Sequence, residues 1–581
     1  MSILRPFAGQ TSVGVRSRTR LIADAVVLVG FAVVLFIVVR LAHGVYAPFN
    51  PAHDITNIST NPADLPYYAG RSLLRMFVAL AVSTVFTFVY ATAAARSRRA
   101  EKVLIPLLDI LQSVPVLAFL SVTLSVWLVL FPGSMLGAEC ASVFAIFTSQ
   151  AWNMTFSFYN SLTTQPRDLD EAARLMRLTR WQRFWKLDVP SGMIPLVWNG
   201  MMSFGGGWFF LVASEVISVN NHTYALPGIG SYVASATTEE NIPAILLAIL
   251  VMVIMVVGVN AVFWRPLTAW AERFRMGDTS SATPQRSVTL DILRQSGIPR
   301  LLGRLVRPVG TFLDRITRPF GVADNPLTVI PARRRAGDIA FAIVVAALLV
   351  WGALAMLGYL WRSGDLPQFG TAFVMGLATF ARVIVIIVVG SLIWVPVGVW
   401  IGMNPRVTRF AQPIVQVLAS FPANFLFPFV TILLIQTNVS LNVGGILLMA
   451  LGSQWYILFN VIAGASAIPA DLREATVNLR VTRWLRWRTL ILPAVFAAWV
   501  TGGITAAGGA WNASIVSEVV TYGHTTLTAF GLGAYIAHAT AVGDTAQSYI
   551  GVIVMSVFVV GINRLVWRRL YRLSETKFSL T

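Results

Sequence analysis

Apolar runs of about twenty residues recur from one end of this chain to the other, and no other feature narrows its fold as much. Short turns crowded with arginine set them apart. A helix of that length crosses the hydrocarbon of a bilayer, whereas a soluble core needs no run so long. Charged residues make up 12% of the chain, about half the share usual for a soluble protein. The expected fold is therefore an all-α polytopic membrane protein. The net charge of +19 is carried mostly by arginine and collects in the turns. That placement fits loops held on the cytoplasmic side against anionic lipid, so the bilayer accounts for the charge. No nucleic-acid recognition module is visible, and no nucleic acid is expected as a partner. The single cysteine, Cys140, excludes an internal disulfide framework and a cysteine zinc site.

Residues 1–20 are basic and expected to stay inside. Arg16, Arg18 and Arg20 precede an apolar run too long for a cleavable signal. Spans are expected near Leu21–Val39, Leu73–Ala95, Val103–Phe131, Ala141–Tyr159, Met193–Val219 and Ile242–Trp264. Six more are expected near Ile339–Leu360, Val374–Gly402, Ile414–Ile435, Val439–Ala463, Ala494–Val520 and Tyr549–Val566. Arginines mark every turn assigned to the inside. The arrangement is about twelve transmembrane helices in two parallel six-helix repeats, 21–264 and 338–567, each starting and ending inside. Residues 265–337 read as a basic cytoplasmic linker, either lying on lipid through short amphipathic helices around Leu290–Leu305 or simply solvated. Residues 568–581 read as a cytoplasmic tail.

The two repeats share text. Asp168-x-x-Glu171, followed by Ala172-Ala173, returns as Asp471-x-x-Glu474, followed by Ala475-Thr476, at a fixed offset (474 − 171 = 303). The spacing suits a first helical turn, where carboxylates satisfy free amides and complement the dipole. Thr179-Arg180-Trp181 and Thr482-Arg483-Trp484 open a second short helix, and Pro190 and Pro493 mark entry to the next span. Each copy thus reads as a charged helix-turn-helix outside the bilayer. At the same offset Trp152 pairs with Trp455, Trp208 with Trp511, and Ser214-Glu215 with Ser517-Glu518. Gly228-Ile229-Gly230 likewise pairs with Gly531-Leu532-Gly533. Ser113-Val114-Pro115 matches Ser420-Phe421-Pro422 at an offset of 420 − 113 = 307.

Trp208, Glu215, Trp511 and Glu518 are the candidate pathway residues. A carboxylate near the end of a span must be hydrated or paired. Glu215 and Glu518 either face a path between the halves or bond neighbouring backbone where a helix ends. Arg75, Arg382 and Asp109, inside or near spans, either form ion pairs or snorkel. His538 has Ser235 at the matched place, which argues against a symmetric metal or proton site. No phosphate-binding glycine loop and no nucleophilic triad is present, so the chain is expected to be no enzyme, with no catalytic, cofactor-binding or metal residue.

Both charged hairpins resemble the EAA loop of permease subunits of binding-protein-dependent ATP-binding-cassette importers. That loop runs Glu-Ala-Ala, then a Gly one turn later, then an apolar residue shortly before a closing Leu-Pro. Here Arg177 and Arg480 stand where the Gly is usual, Val189 replaces the closing Leu, and Thr476 replaces the second Ala. The Trp208…Glu215 and Trp511…Glu518 spacing, with the later Gly-x-Gly, resembles the nitrate, sulfonate and taurine branch. The resemblance implies a type I (MetI-like) importer fold with two permease domains fused, in a bacterial cytoplasmic membrane, both termini inside. It implies two cytoplasmic ATPase subunits as partners, which bind and hydrolyse the ATP; this chain binds no cofactor. Asp168, Glu171, Ala172, Ala173, Arg177 and Arg180 would couple to one, and Asp471, Glu474, Ala475, Arg480 and Arg483 to the other. A periplasmic or lipid-anchored solute-binding protein would deliver a small polar anion such as a sulfonate or nitrate. The competing reading, a stand-alone secondary transporter or channel with duplicated halves, calls for paired carboxylates or histidines at mid-membrane.

Overall fold

The computed structural model describes residues 18–43, 58–219, 222–274, 288–317 and 331–577. The expected boundaries within 1–17, 44–57, 275–287, 318–330 and 578–581 lie outside the described residues. The first half runs α1 (Arg18–His43), α2 (Leu65–Arg96), α3 (Arg98–Ser113), α4 (Leu120–Leu130), α5 (Leu136–Thr163), α6 (Arg167–Leu175), α7 (Arg180–Arg183) and α8 (Val189–Glu215). A hairpin of β1 (Val216–Val219) and β2 (His222–Ala225) follows, then α9 (Ile229–Thr238), α10 (Ile242–Val259) and α11 (Arg265–Ala271). The linker holds α12 (Val288–Gln295) and α13 (Ile298–Thr317). The second half repeats the plan. It has α14 (Pro331–Ser363), α15 (Gln368–Gly402), α16 (Pro405–Ser420), α17 (Phe427–Thr437), α18 (Leu441–Ser466), α19 (Ala470–Asn478), α20 (Arg483–Arg486) and α21 (Leu492–Ser517). A hairpin of β3 (Val519–Tyr522) and β4 (Thr525–Thr528), then α22 (Leu532–Val542), α23 (Thr545–Ile562) and α24 (Arg568–Lys577), complete it.

Among the described residues nine helices are long and apolar enough to cross a membrane, or ten if α16 and α17 count as one bent span. Twelve is not reached by that measure. α5 has the length, at 28 residues, but carries too many polar groups to count. The run Val103–Phe131, expected as one interrupted span, is two helices. Proline forces its predecessor out of the helical region. Val114 before Pro115 is extended (φ −79°, ψ 125°), and so is Phe421 before Pro422 (φ −73°, ψ 128°). In the second half the two arms bend by 81°. Pro106, in the third turn of α3, does not break it.

The second arm of each hairpin is not a separate helix. α7 passes through a π-turn, Phe184–Asp188, directly into α8, and α20 passes through Trp487–Ile491 into α21. The Val189 N–H bonds Phe184 O, five residues back. Pro190 and Pro493 lie just past these turns, where the regular four-residue ladder is already interrupted and a missing amide costs least. The second arm of each hairpin and the membrane helix after it thus form one continuous rod.

The linker helices pack on the first half. Asp24 of α1 accepts from Ser296 Oγ (2.7 Å) and Gly297 N (2.6 Å) at the α12–α13 turn, and α13 rests against α7.

The interiors of the halves are exchanged. Val116, Leu117, Leu120 and Leu124 join first-half residues such as Ala138, Ala141 and Ile217 in a cluster with much of the second half's core, and Phe425, with Val417, Phe421 and Phe429 against it, belongs to the first half's. The Val116 N–H donates to Asn512 Oδ1 (2.9 Å), and Asn424 Nδ2 donates to Phe209 O (3.4 Å). Val116 is matched by Ala423 (423 − 116 = 307), and Phe209 by Asn512 (512 − 209 = 303). Contacts exchanged in this way mark a two-fold-like interface.

Candidate functional site

The charged hairpins stand away from the body of the protein. Asp168, Glu171, Arg177 and Arg180 are exposed, as are Asp471, Glu474, Ala475, Arg480 and Arg483; Ala172 is half-buried and Ala173 buried. Asp168 lies inside the first turn of α6, and α19 has Pro469 at its cap with no side-chain cap bond. The D-x-x-E spacing thus supplies first-turn charge and not a capping box. The box forms one helix later, where Thr179 and Gln182 bond each other's backbone (3.2 Å each way). Arg177 and Arg480 both have positive φ, 46° and 51°. The Leu178 N–H reaches back to Ala173 O (3.2 Å) and Val481 N–H to Thr476 O (3.0 Å). That six-residue closure is the helix stop that glycine normally supplies, so the bend survives with arginine in its place.

Large apolar side chains accompany these charges. Leu175 and Met176 are 85% and 73% exposed; Leu479 and Trp484 are each 76% exposed. The first hairpin is also tied down. Arg183 pairs with Asp170, and Arg96 of α2 pairs with Asp188. The matched positions, Arg473 for Asp170 and Ile491 for Asp188, lack those carboxylates.

Trp208, Glu215, Trp511 and Glu518 are all buried: the two glutamates have no exposed surface and the tryptophans 1%. Glu215 ends α8. Its Oε1 accepts from Ser72 Oγ (2.5 Å) and Arg75 Nη1 (2.7 Å), and its Oε2 from Gly230 N (2.6 Å). Arg75 also holds Glu139 through Nε (2.5 Å) and Nη2 (2.7 Å), and Arg71 pairs with Glu139. In the second half Glu518 Oε1 accepts from Thr379 Oγ1 (2.8 Å) and Arg382 Nη1 (2.6 Å), and Oε2 from Gly533 N (2.8 Å). Here Asn442 replaces Glu139. It accepts from Arg382 Nε through its carbonyl (3.1 Å) and from Nη2 through Oδ1 (3.0 Å). The Gly-x-Gly text now has a reason. A Cβ at Gly228 or Gly531 would strike the carboxylate, and the second glycine's amide binds it. The sequence reading named Arg75 and Arg382 without partners and missed Arg71, Ser72, Glu139, Thr379 and Asn442. For all but Arg71, which Ala378 matches, the signal was the repeat itself, since Ser72 and Thr379 match at the 307 offset and Glu139 and Asn442 at 303.

Two stretches of the chain, residues 85–273 and 394–579, match the family described as binding-protein-dependent transport system inner membrane component. The chain belongs to that family. Each matched stretch contains one hairpin and the helix it feeds, so this family member carries two inner-membrane-component domains in one polypeptide. It is similar to the nitrate import permease protein NrtB of Leptolyngbya laminosa, 24% identical over 157 residues, 27% of this chain and 51% of that protein. It is also similar to the bicarbonate transport system permease protein CmpB of Synechococcus elongatus, 26% identical over 185 residues, 32% of this chain and 62% of that one. With CmpB of a Synechocystis species it shares 26% over 273 residues, 43% of this chain and 91% of the relative. The chain thus spans half to two thirds of the first two relatives' length.

Proposed function

We propose that this chain is the membrane-spanning component of an ATP-driven importer, with a solute path between its two halves and a cytoplasmic ATPase on each hairpin. The observation that carries the reading is the pair of exposed hairpins, each running without a break through a π-turn into α8 or α21. Apolar side chains as exposed as Leu175, Met176, Leu479 and Trp484 on a charged, water-facing element are a docking surface. Glu171 and Glu474 supply charge for the partner's groove. Basic residues around both hairpins and in α24 support a cytoplasmic side there, and so a reading of two parallel halves of six membrane elements each, with α3–α4 and α16–α17 as broken third elements.

A solute-binding protein delivers the solute on the opposite side, where β1–β2 and β3–β4 cap α8 and α21. Small oxyanions, the solutes in the relatives' names, are the substrate class. The buried glutamates raise no objection to an anion, because Arg75 and Arg382 pair with them. We read the glutamate clusters as latches that pin the outer ends of α8 and α21 to α2 and α15, not as path lining.

The test is E171R/E474R. It should abolish uptake and co-purification of the ATPase while the chain inserts normally; full uptake would refute docking at the hairpins.

A further inference from the structure

A row of polar side chains runs along the first half where a membrane helix would ordinarily be apolar. Asn153, Ser157 and Asn160 follow one another on one face of α5, continued by its capping residue Thr164, with Gln112 of α3 and Asn199 of α8 beside them. Gln112 Nε2 donates to Asn153 Oδ1 (3.1 Å), and Asn199 Nδ2 to Ser157 Oγ (2.9 Å). Asn153, Asn160 and Gln112 are nevertheless exposed, and a cleft opens over Asn153, Ser157, Asn160 and Asn199. Asn153 is ten residues from the end of α5 at Thr163 (163 − 153 = 10), about 15 Å along the helix axis. Amides at that depth do not face lipid; they face protein or water.

The repeat tells which way they face. The residue matched to Asn153 is Tyr456, whose hydroxyl comes within 3.3 Å of where a Cβ at Gly206 of α8 would stand. That face of the second half therefore looks across at the first. Its other matched positions are Asn460, Ala463, Ala467 and Gly502, and Gln112 is matched by Ala419, so little of the polarity is repeated.

We propose that this face of the first half is the wetted wall of a vestibule between the halves, open toward the hairpins, and that it supplies nearly all the hydrogen bonds a passing solute meets there. Amide and hydroxyl groups make up most of the cleft's lining, with Phe156 and Pro195 beside them and no charged side chain. Such a wall suits a small hydrophilic solute handed along by weak neutral contacts. Tyr456 closes the vestibule's outer end. The assignment deepens the importer reading but is tested without ATP.

The test uses the whole chain in inside-out vesicles, in a C140A background so that introduced thiols stand alone. A membrane-impermeant thiosulfonate reagent should modify N153C, N160C and A463C roughly tenfold or more faster than V388C and L392C, which lie on the exposed apolar face of α15. Rates at N153C and N160C equal to those of the α15 controls would overturn the vestibule. An unreactive A463C beside a reactive N160C would overturn its placement between the halves. Reactivity as expected in a protein that engages no ATPase would sink only the importer reading.

Discussion

Replacing Glu518 with glutamine should destabilise the protein more than the same change at Glu215, although the two positions are matched by the repeat. Both carboxylates are wholly buried and both bind an arginine. In E518Q, Arg382 keeps only neutral partners, the Asn442 carbonyl and amide oxygen and Phe530 O. A buried charge stripped of its counter-charge costs about 3–5 kcal/mol. In E215Q, Arg75 keeps both of its bonds to Glu139. One close contact between opposite charges is worth about 4 kcal/mol at an effective dielectric of 20. After repulsion from Arg71, which shares Glu139, the net loss should fall to about 1–3 kcal/mol. The assay is thermal unfolding in nanodiscs followed by tryptophan fluorescence, with E518Q melting well below E215Q. The variant R382M/E518Q, which removes the stranded charge, should recover part of the loss. Equal melting of the two single variants, or no recovery in the double, would refute the reasoning.

Arg177→Gly and Arg480→Gly should each slow amide exchange in the hairpin about fivefold, because an L-residue at positive φ costs about 1 kcal/mol that glycine does not; faster exchange would contradict the strain. Gly228→Ala and Gly531→Ala should both lower the yield of folded protein, since each Cβ meets a buried carboxylate; normal yield and melting would show that the latch can shift aside. D188N should loosen the first hairpin by releasing Arg96 and Arg183, read as faster proteolysis between α6 and α7; unchanged proteolysis would contradict the tether. The purified chain alone should hydrolyse no ATP above a heat-treated control.

The sequence made the helical membrane fold and the duplication legible because both are written in period and offset. Apolar length marks a span whatever its neighbours, and matched text such as Trp208 and Trp511 survives divergence. It overcounted straight spans because hydropathy is blind to backbone direction. Val103–Phe131 is apolar throughout its later part, yet Pro115 turns it. It undercounted the latch because partners such as Arg75 and Glu139 are 64 residues apart and meet only after packing. Glu215 could be read either as a path residue or as a helix-end carboxylate while its counter-charge was out of view. The hairpin's arginines went the other way. Arginine stands at positions 177 and 480 where glycine is usual, yet the backbone keeps the bend, since the closing bonds to Ala173 and Thr476 hold the turn regardless of side chain.

The swapped corners around Val116 and Phe425 also govern birth order. The first half leaves the ribosome with its Val116–Leu124 segment lacking its second-half partners and with the seat for Phe425 empty; Phe209 meets Asn424 only 215 residues later, and Val116 meets Asn512 396 residues later. Until then each unfinished surface needs lipid or an insertion chaperone as a stand-in. Severing the chain between α13 and α14 would turn a guaranteed intramolecular meeting into a search between two incomplete proteins.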